Sequence, residues 1–496
     1  MKKGLKYSLM KTVGYLSYNL LKILPTGGKS YPGYLFLRYA GLDSLGNLAK
    51  EQIKDGSILI TGTNGKTTTT TMIIDLMSND VNISKSVDNN TIYALTTALL
   101  AKKSDIGIFE YGIRDLKHGI PDVVEKNIKP KVVVYTNVSR EHTQVLGVKN
   151  SFEDYVKAKT LLSKNMKDGI VVANADDPII CNIGQEKQND GHVVYYGFNV
   201  DNIEDDTDVS VMCPKCNKPL TYSHKYMNQR GVYSCSCGFK RCEPDVKITK
   251  YSIENNKNII TIDANVYNYF VDENISFTLD LELPLFGVHN VYNVLAATST
   301  YACFTPKPEN IEEKLKNYFN NIDLSILPPG RFEVLEYADK LVGIGQGDNR
   351  DALKVNYDYM NHFIQGNDYE FIYCTPDVNE EEIFEDHLNI LKKINPTHII
   401  VIPGRVSVDV AKTYYTQIKD NNLNASFKSI EYDFEKRASG IIDSINESEY
   451  KYVVVSGCGE EHDVWNVTLN KLKEYYIKCF RYKSLNPIHI ILLMYF

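Results

Sequence analysis

The sequence predicts an α/β protein: a central doubly wound parallel sheet built around a glycine-rich loop, a small cysteine-paired insertion, and then a second α/β domain. Three observations predict it. From residue 56 to about residue 205, short apolar runs alternate with helix-like stretches, the pattern of a parallel sheet with helices on both faces. The first of these runs, Ile58-Leu-Ile60, stops at the glycine turn Gly62-Thr63-Asn64-Gly65-Lys66-Thr67-Thr68. Two close cysteine pairs, Cys213/Cys216 and Cys235/Cys237, interrupt the pattern before it resumes near residue 341.

Composition bounds the rest. A chain of 496 residues with 43% hydrophobic content suggests about three domains with substantial cores. The formal net charge of −7 leaves no basic footprint, so nucleic acid is not expected as a partner. Ten cysteines in so long a chain are not a secreted disulfide framework, and their clustering at metal spacing points to a reducing cytoplasm. The stretch Leu5 to Leu24 is interrupted by Lys6, Lys11, Ser17 and Lys22, so it reads as a helix with one apolar face rather than a signal peptide. That face either packs on the first domain or touches a membrane surface as a peripheral contact. The apolar tail Ile488 to Phe496 is too short to span a bilayer; it is a docking tail or the product of a shifted reading frame.

Taken in order, the strand Ile58–Ile60, the glycine loop and the helix expected to start around Met72-Ile73-Ile74 form an anion cradle. Glycines let backbone N–H groups approach phosphate, and the helix dipole favours negative charge there. Backbone groups of Gly62, Thr63, Asn64 and Gly65 would line the cradle, Lys66 would reach the terminal phosphates, and a Thr67 or Thr68 hydroxyl would sit on Mg²⁺. ATP is the expected ligand. Further strands are expected at Ile106–Phe109, Val132–Tyr135, Ile170–Ala173 and Val193–Tyr196, with functional residues just after them. Glu110 follows the first of these and is well placed for Mg²⁺. His142 follows the next, and Lys159 lies on the helix after it.

Cys213-Pro-Lys-Cys216 and Cys235-Ser-Cys237 suit a closed, structural Zn²⁺ site of four thiolates, with Cys242 a spare that would replace one ligand. A ribbon this small needs its metal to fold. Asn258–Ile262 and Ile275–Leu279 alternate as antiparallel strands do. Strands are expected again at Leu341–Ile344, Glu370–Tyr373, His398–Ile402 and Tyr452–Val455.

The loop Thr61-Gly-Thr-Asn-Gly-Lys-Thr-Thr68 resembles the nucleotide loop of the Mur ligase family, and Phe109-Glu-Tyr-Gly112, Tyr135-Thr-Asn-Val-Ser-Arg-Glu-His142 and Ala158-Lys159 resemble its ordered motifs. The resemblance implies that Glu110 and His142 bind a second Mg²⁺ and that Lys159 is carbamylated to bridge to it. Leu285-Phe-Gly-Val-His-Asn290-Val-Tyr-Asn293 resembles the family motif in which Asn290 and Asn293 would contact the base or phosphates of ATP. Pro329-Gly-Arg331-Phe-Glu333 resembles the turn whose Arg331 would reach the nucleotide. The cysteine knuckle resembles the zinc ribbon of the MurT-like branch and of pseudomurein peptide ligases. The expected domains are a short lead-in over 1–50, a central ATP-binding domain over 51–330 with the zinc ribbon inserted at 210–243, a C-terminal α/β domain over 331–480, and the apolar tail 481–496. The lead-in is too short for the usual nucleotide-sugar domain of the family.

The C-terminal part departs most. Asp351-Ala-Leu353 resembles the end of a family motif in a register that puts Gly345 where the family carries a ribose-binding aspartate, with Asp348 as a substitute, and Ser456-Gly-Cys-Gly459-Glu-Glu-His462 only weakly resembles a family loop. The resemblance implies an ATP-dependent acid–amine ligase of cell-wall precursor synthesis, joining an amino acid to a murein or pseudomurein peptide precursor through an acyl phosphate. Its MurT-like alternative implies a subunit that amidates with ammonia from a glutaminase partner. A catalytically inactive ATP-binding regulator is the alternative from another class.

Overall fold

The computed structural model describes residues 3–483 except 24–27, 140–143, 146–147, 150–151, 189–190, 206–210, 255–256, 286, 324–331, 378–379, 405, 432 and 459–462. His142, Arg331, the loop Gly459–His462 and the tail Ile488–Phe496 therefore lie outside the described residues. The chain divides into two compact units, one of residues 1–139 and 145–328, the other of 140–144 and 329–496.

In the first unit, α1 (Lys3–Leu21), α2 (Tyr31–Ala40) and α3 (Ser44–Gln52) lead into β1 (Ile53–Thr61), α4 (Lys66–Ser78), β2 (Ile83–Ser86), α5 (Ile92–Ala101) and β3 (Ser104–Glu110). They are followed by α6 (Pro121–Ile128), β4 (Val132–Tyr135), the two-residue strands β5 (Gln144–Val145) and β6 (Val148–Lys149), α7 (Phe152–Thr160), β7 (Ile170–Asn174), α8 (Pro178–Lys187) and β8 (His192–Phe198). The cysteine-bearing hairpin is β9 (Thr221–Met227) and β10 (Arg230–Ser234). Three long strands, β11 (Val246–Glu254), β12 (Lys257–Asn268) and β13 (Glu273–Leu283), then precede α9 (Val288–Phe304) and α10 (Ile311–Asn320).

Every apolar run expected as a strand before residue 205 is one. They join a nine-stranded sheet of order β13-β12-β11-β8-β7-β4-β1-β3-β2. From β2 to β11 neighbours run parallel, and the alternating stretches β12 and β13 close the edge antiparallel, with Ile262 opposite Leu279. Central strands such as Ile58–Ile60 and Val132–Val134 are wholly buried, which explains their continuous rather than alternating apolar runs. Register places Ile60 beside Glu110 and Thr61 beside Tyr135, so the carboxyl ends of β1, β3 and β4 lie side by side.

One boundary differs from expectation. Helix α4 begins at Lys66, not at the apolar Met72. The threonines are accommodated because Thr70 Oγ1 donates back to the Lys66 carbonyl at 2.7 Å, a bond that β-branched hydroxyl residues make inside helices.

The second unit holds β14 (Glu333–Tyr337), β15 (Lys340–Ile344), α11 (Arg350–Ile364), β16 (Tyr369–Cys374), α12 (Glu381–Ile394), β17 (His398–Ile402), α13 (Val408–Asp420), β18 (Ala425–Phe427), α14 (Phe434–Glu447), β19 (Tyr452–Gly457) and α15 (Asp463–Lys483). Its sheet has the order β14-β15-β19-β16-β17-β18, with β14 antiparallel and the rest parallel. Val453, Val455 and the buried Trp465 lie in one of its cores.

Candidate functional site

The loop between β1 and α4 is shaped by two glycines. A Cβ on Gly62 (φ +156°) would lie 1.9 Å from Thr136 Oγ1, and one on Gly65 (φ +80°) would lie 2.3 Å from Asn293 Oδ1. A side chain at Gly62 would meet Thr136, and one at Gly65 would strain the positive φ there. Gly65 caps α4 without a side-chain hydrogen bond, and the first intrahelical bond near it is Thr69 N–H to the Gly65 carbonyl at 2.9 Å. The opening N–H groups of α4 are thus left by helix geometry for an anion, at the positive end of the helix dipole.

The strand ends around this loop converge on it. From β3, Glu110 is buried; its Oε1 accepts from Thr67 Oγ1 at 3.1 Å and its Oε2 from the Asp88 N–H at 3.2 Å. From β4, the Asn137 carbonyl accepts from Thr63 N–H at 2.8 Å and its side-chain oxygen from Asn64 N–H at 3.0 Å. From α7, Lys159 is only 1% exposed and donates from Nζ to the Gly62 carbonyl at 3.0 Å, while lying 4.5 Å from the Tyr155 ring centroid. Tyr155 in turn shares a 2.9 Å hydrogen bond with Thr63 Oγ1. Lys66 Nζ folds onto the Thr63 carbonyl at 2.6 Å. From α9, Asn293 Oδ1 accepts from Thr69 Oγ1 at 3.4 Å, and its amide donates to Asn290 Oδ1 at 3.3 Å.

The structure therefore brings Gly62, Thr63, Asn64, Gly65, Lys66, Thr67, Glu110, Lys159 and Asn293 together, and joins Asn290 to them through Asn293. The Thr67 hydroxyl against the Glu110 carboxylate is a hard-oxygen donor set of the type Mg²⁺ takes.

The four cysteine sulfurs lie within 4.8 Å of one another, with Cys213 to Cys237 at 3.7 Å and Cys216 to Cys235 at 3.5 Å. Tetrahedral zinc with Zn–S bonds of about 2.3 Å needs sulfurs about 3.8 Å apart, so the residues fit the ion. The backbone supports both turns: Asn217 N–H donates to the Cys213 carbonyl, and Gly238 N–H to the Cys235 carbonyl, each at 2.9 Å. The backbone N–H of Cys237 draws the Cys235 thiol down to about 6, whereas desolvation and the neighbouring thiols push Cys216 up to about 12 and burial raises Cys213. Cys242 is not in the cluster; it lies 2.8 Å from Cys181 on α8.

Sequence reasoning missed the residues that fasten the hairpin to the sheet. At the hairpin tip, Gln229 Nε2 donates to the Val138 carbonyl and to Asp177 Oδ2, both at 3.3 Å. Buried Asp177 also accepts from Val138 N–H at 2.9 Å and caps α8 through Ile179 and Ile180. Burial raises the Asp177 carboxyl, while the Val138 and Ile180 N–H groups pull the other way. Next to it, buried Asp176 accepts from Arg241 Nε at 2.6 Å, Tyr292 OH at 2.8 Å and Phe198 N–H at 2.9 Å. The partners of Asp176 and Asp177 have no local signature in the sequence.

In the second unit, a Cβ on Gly345 would lie 2.6 Å from Phe332 Cα and 2.8 Å from its nitrogen. Backbone excludes any side chain there. Asp348 accepts from the Gln346 amide, and Asn349 Oδ1 caps α11 by accepting from Ala352 N–H at 3.0 Å.

Comparisons with known proteins agree with the family resemblance. Residues 60–216 match the Mur ligase middle domain. Over 278 residues the chain is 30% identical to the subunit MurT of lipid II isoglutaminyl synthase (glutamine-hydrolyzing) from Staphylococcus aureus (strain COL), covering 54% of this chain and 57% of that protein. Over 262 residues it is 31% identical to UDP-N-acetylmuramoylalanine–D-glutamate ligase of Halalkalibacterium halodurans, covering 53% of this chain and 43% of that protein. The match thus spans about half the length of these curated relatives. Among solved structures, a pseudomurein peptide ligase type C from Methanothermus fervidus has a TM-score of 0.64 at 23% identity, covering 86% of this chain and 80% of that one. MurF ligase from Thermotoga maritima in complex with ADP has a TM-score of 0.53 at 17% identity, covering 88% and 84%. The fold of this chain is that of these multi-domain ligases, and its residues 60–216 match the Mur ligase middle domain.

Proposed function

We propose that the chain is an ATP-dependent acid–amine ligase that joins an amino acid to a cell-wall peptide precursor. The observation that carries this reading is the convergence on one glycine loop of an uncapped helix start, the Thr67–Glu110 pair and the buried Lys159. A substrate carboxylate attacks the γ-phosphorus of ATP, giving an acyl phosphate and ADP. The incoming amine then attacks the acyl carbon, and phosphate leaves as the amide forms.

The backbone N–H groups from Gly65 to Thr68 would hold the phosphates, with Thr63 and Asn64 shaping the loop through their bonds to Asn137, and Lys66 would swing from the Thr63 carbonyl to the terminal phosphate. Mg²⁺, when bound, neutralises charge on the transferring phosphoryl group; Thr67 would hold one ion, and Glu110 and His142, with a carbamylated Lys159, a second. A carbamate would turn a buried cation into an oxygen ligand. Asn290 and Asn293 would meet the base or phosphates, and Arg331, outside the described residues, is the further candidate for nucleotide contact. The four thiolates leave zinc no open position, which supports a structural role; inductively coupled plasma measurement should find about one zinc per chain, and none in Cys235→Ser.

A second reading has its own support, the 30% identity to a glutaminase-partnered subunit. ADP release by the purified chain separates the two. With ATP, Mg²⁺, a panel of nucleotide-linked cell-wall peptides and free amino acids, turnover that needs one peptide and one amino acid establishes the ligase. Turnover only with ammonia, or with glutamine and a glutaminase subunit, moves the assignment to amidation. Nucleotide binding with no ADP release under any mixture leaves a regulator. Among the described residues no helix is long and apolar enough to cross a membrane.

A further inference from the structure

Helix α1 is apolar on two opposite faces. One packs on α2 and α5: Tyr7 and Met10 lie against the buried core, the Tyr7 and Phe36 rings meet edge-on at 5.8 Å, and Gly14 fits so closely that a Cβ would lie 2.8 Å from Leu100. Lys11 pins the same helix to Glu51 on α3 at 2.5 Å. The other face carries Leu5, Leu9, Val13, Leu16 and Leu20, which recur every three or four residues as one stripe and are 36–69% exposed. Ile23, just past the helix, extends the stripe.

This surface is not ordinary scatter. Of fifteen exposed large hydrophobic residues among the described ones, ten lie between Leu5 and Leu42. Single exposed apolar residues need no explanation, but a concentrated patch marks an interaction site. The same stretch has a charge of one sign. Residues 1–42 contain seven lysines and arginines and no aspartate or glutamate, in a chain whose formal net charge is −7.

We propose that α1 docks the protein on a lipid surface bearing anionic headgroups, lying in the interface with its leucine stripe among the acyl chains. A helix with an apolar stripe and lysines but no acids binds by apolar burial plus attraction to anionic lipid. The charge argues against the competing occupant, a second copy of this chain: apart from Lys11, paired with Glu51, and Lys29, 4.0 Å from Asp88, pairing two such segments would bring like charges together. Because the other face of α1 is already buried, docking needs no rearrangement of the fold. Under the ligase reading, on which this clause alone rests, docking would hold the active unit at a surface where a lipid-linked acceptor resides.

Sedimentation of the full chain with vesicles tests this without any turnover. Equimolar phosphatidylglycerol and phosphatidylcholine vesicles should pull the protein down at low salt, phosphatidylcholine alone much less, and high salt should weaken the binding. Leu9→Glu with Leu16→Glu should reduce partitioning by about tenfold or more. ADP affinity and the melting temperature of that variant should stay at wild-type values, since both positions face solvent. Should it fail to fold, Lys6→Glu with Lys22→Glu leaves the stripe intact and should weaken binding to the anionic vesicles several-fold. Equal sedimentation with and without vesicles overturns the proposal. So does a concentration-dependent dimer that Leu16→Glu abolishes in the absence of vesicle binding, which would assign the stripe to a second copy. Loss of ADP release with vesicle binding retained would count against the ligase reading and leave docking standing.

Discussion

Two strands in this molecule end alike and lead to different things. In the first unit β1 gives way to Gly62 and the chain enters α4; in the second β15 gives way to Gly345 and the chain enters α11. Helix α4 starts at a glycine with no side-chain cap and no acid in its first turn, leaving its N–H groups for a ligand. Helix α11 starts at Asn349, whose side chain accepts from Ala352 N–H, and carries Asp351 in its first turn. One helix start is open to an anion; the other is filled by its own sequence. Around Gly62 stand a lysine, a glutamate and hydroxyls, whereas around Gly345 the backbone of Phe332 leaves no room for a side chain. The same strand–glycine–helix grammar thus leaves a helix start open only where the cap is withheld.

The difference can be broken or sharpened by substitution, the largest effect first. Arg241→Ala leaves the buried Asp176 carboxylate without its cation, and chemical denaturation should show a loss of about 3–5 kcal/mol in the first unit. Lys66→Ala removes the cation of the open helix start; ADP release should fall by about 10²–10³-fold with the melting temperature unchanged. Gly345→Ala forces a Cβ against Phe332 and should cost the second unit about 1–3 kcal/mol, with little effect on nucleotide affinity. Gln229→Ala is expected to be the mildest. It frees the Val138 carbonyl and one bond to Asp177, so about 1 kcal/mol of stability and a few-fold weaker ADP binding should be lost while zinc content stays the same.

Much of this was legible along the chain, and the reason is local periodicity. Buried parallel strands announce themselves as short apolar runs, so Ile58–Ile60 and Val132–Tyr135 were readable, as were the alternating β12 and β13. The glycine loop and the paired cysteines are fixed-offset patterns, and the structure gathers each. What stayed hidden depends on residues far apart in sequence. Lys159 was marked by its motif, but its burial has no local sign and comes from the approach of α7 to Gly62. Asp176 and Arg241, sixty-five positions apart, share no local signature, and neither do Gln229 and Val138. Cys242 appeared interchangeable with the zinc ligands by spacing alone, but the turn after Phe239 carries it to Cys181 instead. The start of α4 was displaced because threonines are poor helix formers, a preference overridden here by burial and by the Thr70 bond back to Lys66.

The most direct test of the account is a calorimetric titration of Mg–ADP into three proteins: the wild type, Lys66→Ala and Asp348→Ala. The account predicts tight binding by the wild type, a loss of about 10²-fold or more in Lys66→Ala, and less than about tenfold in Asp348→Ala, because the nucleotide phosphates rest on the uncapped helix of the first unit. Wild-type affinity in Lys66→Ala, or a larger loss in Asp348→Ala, would contradict it.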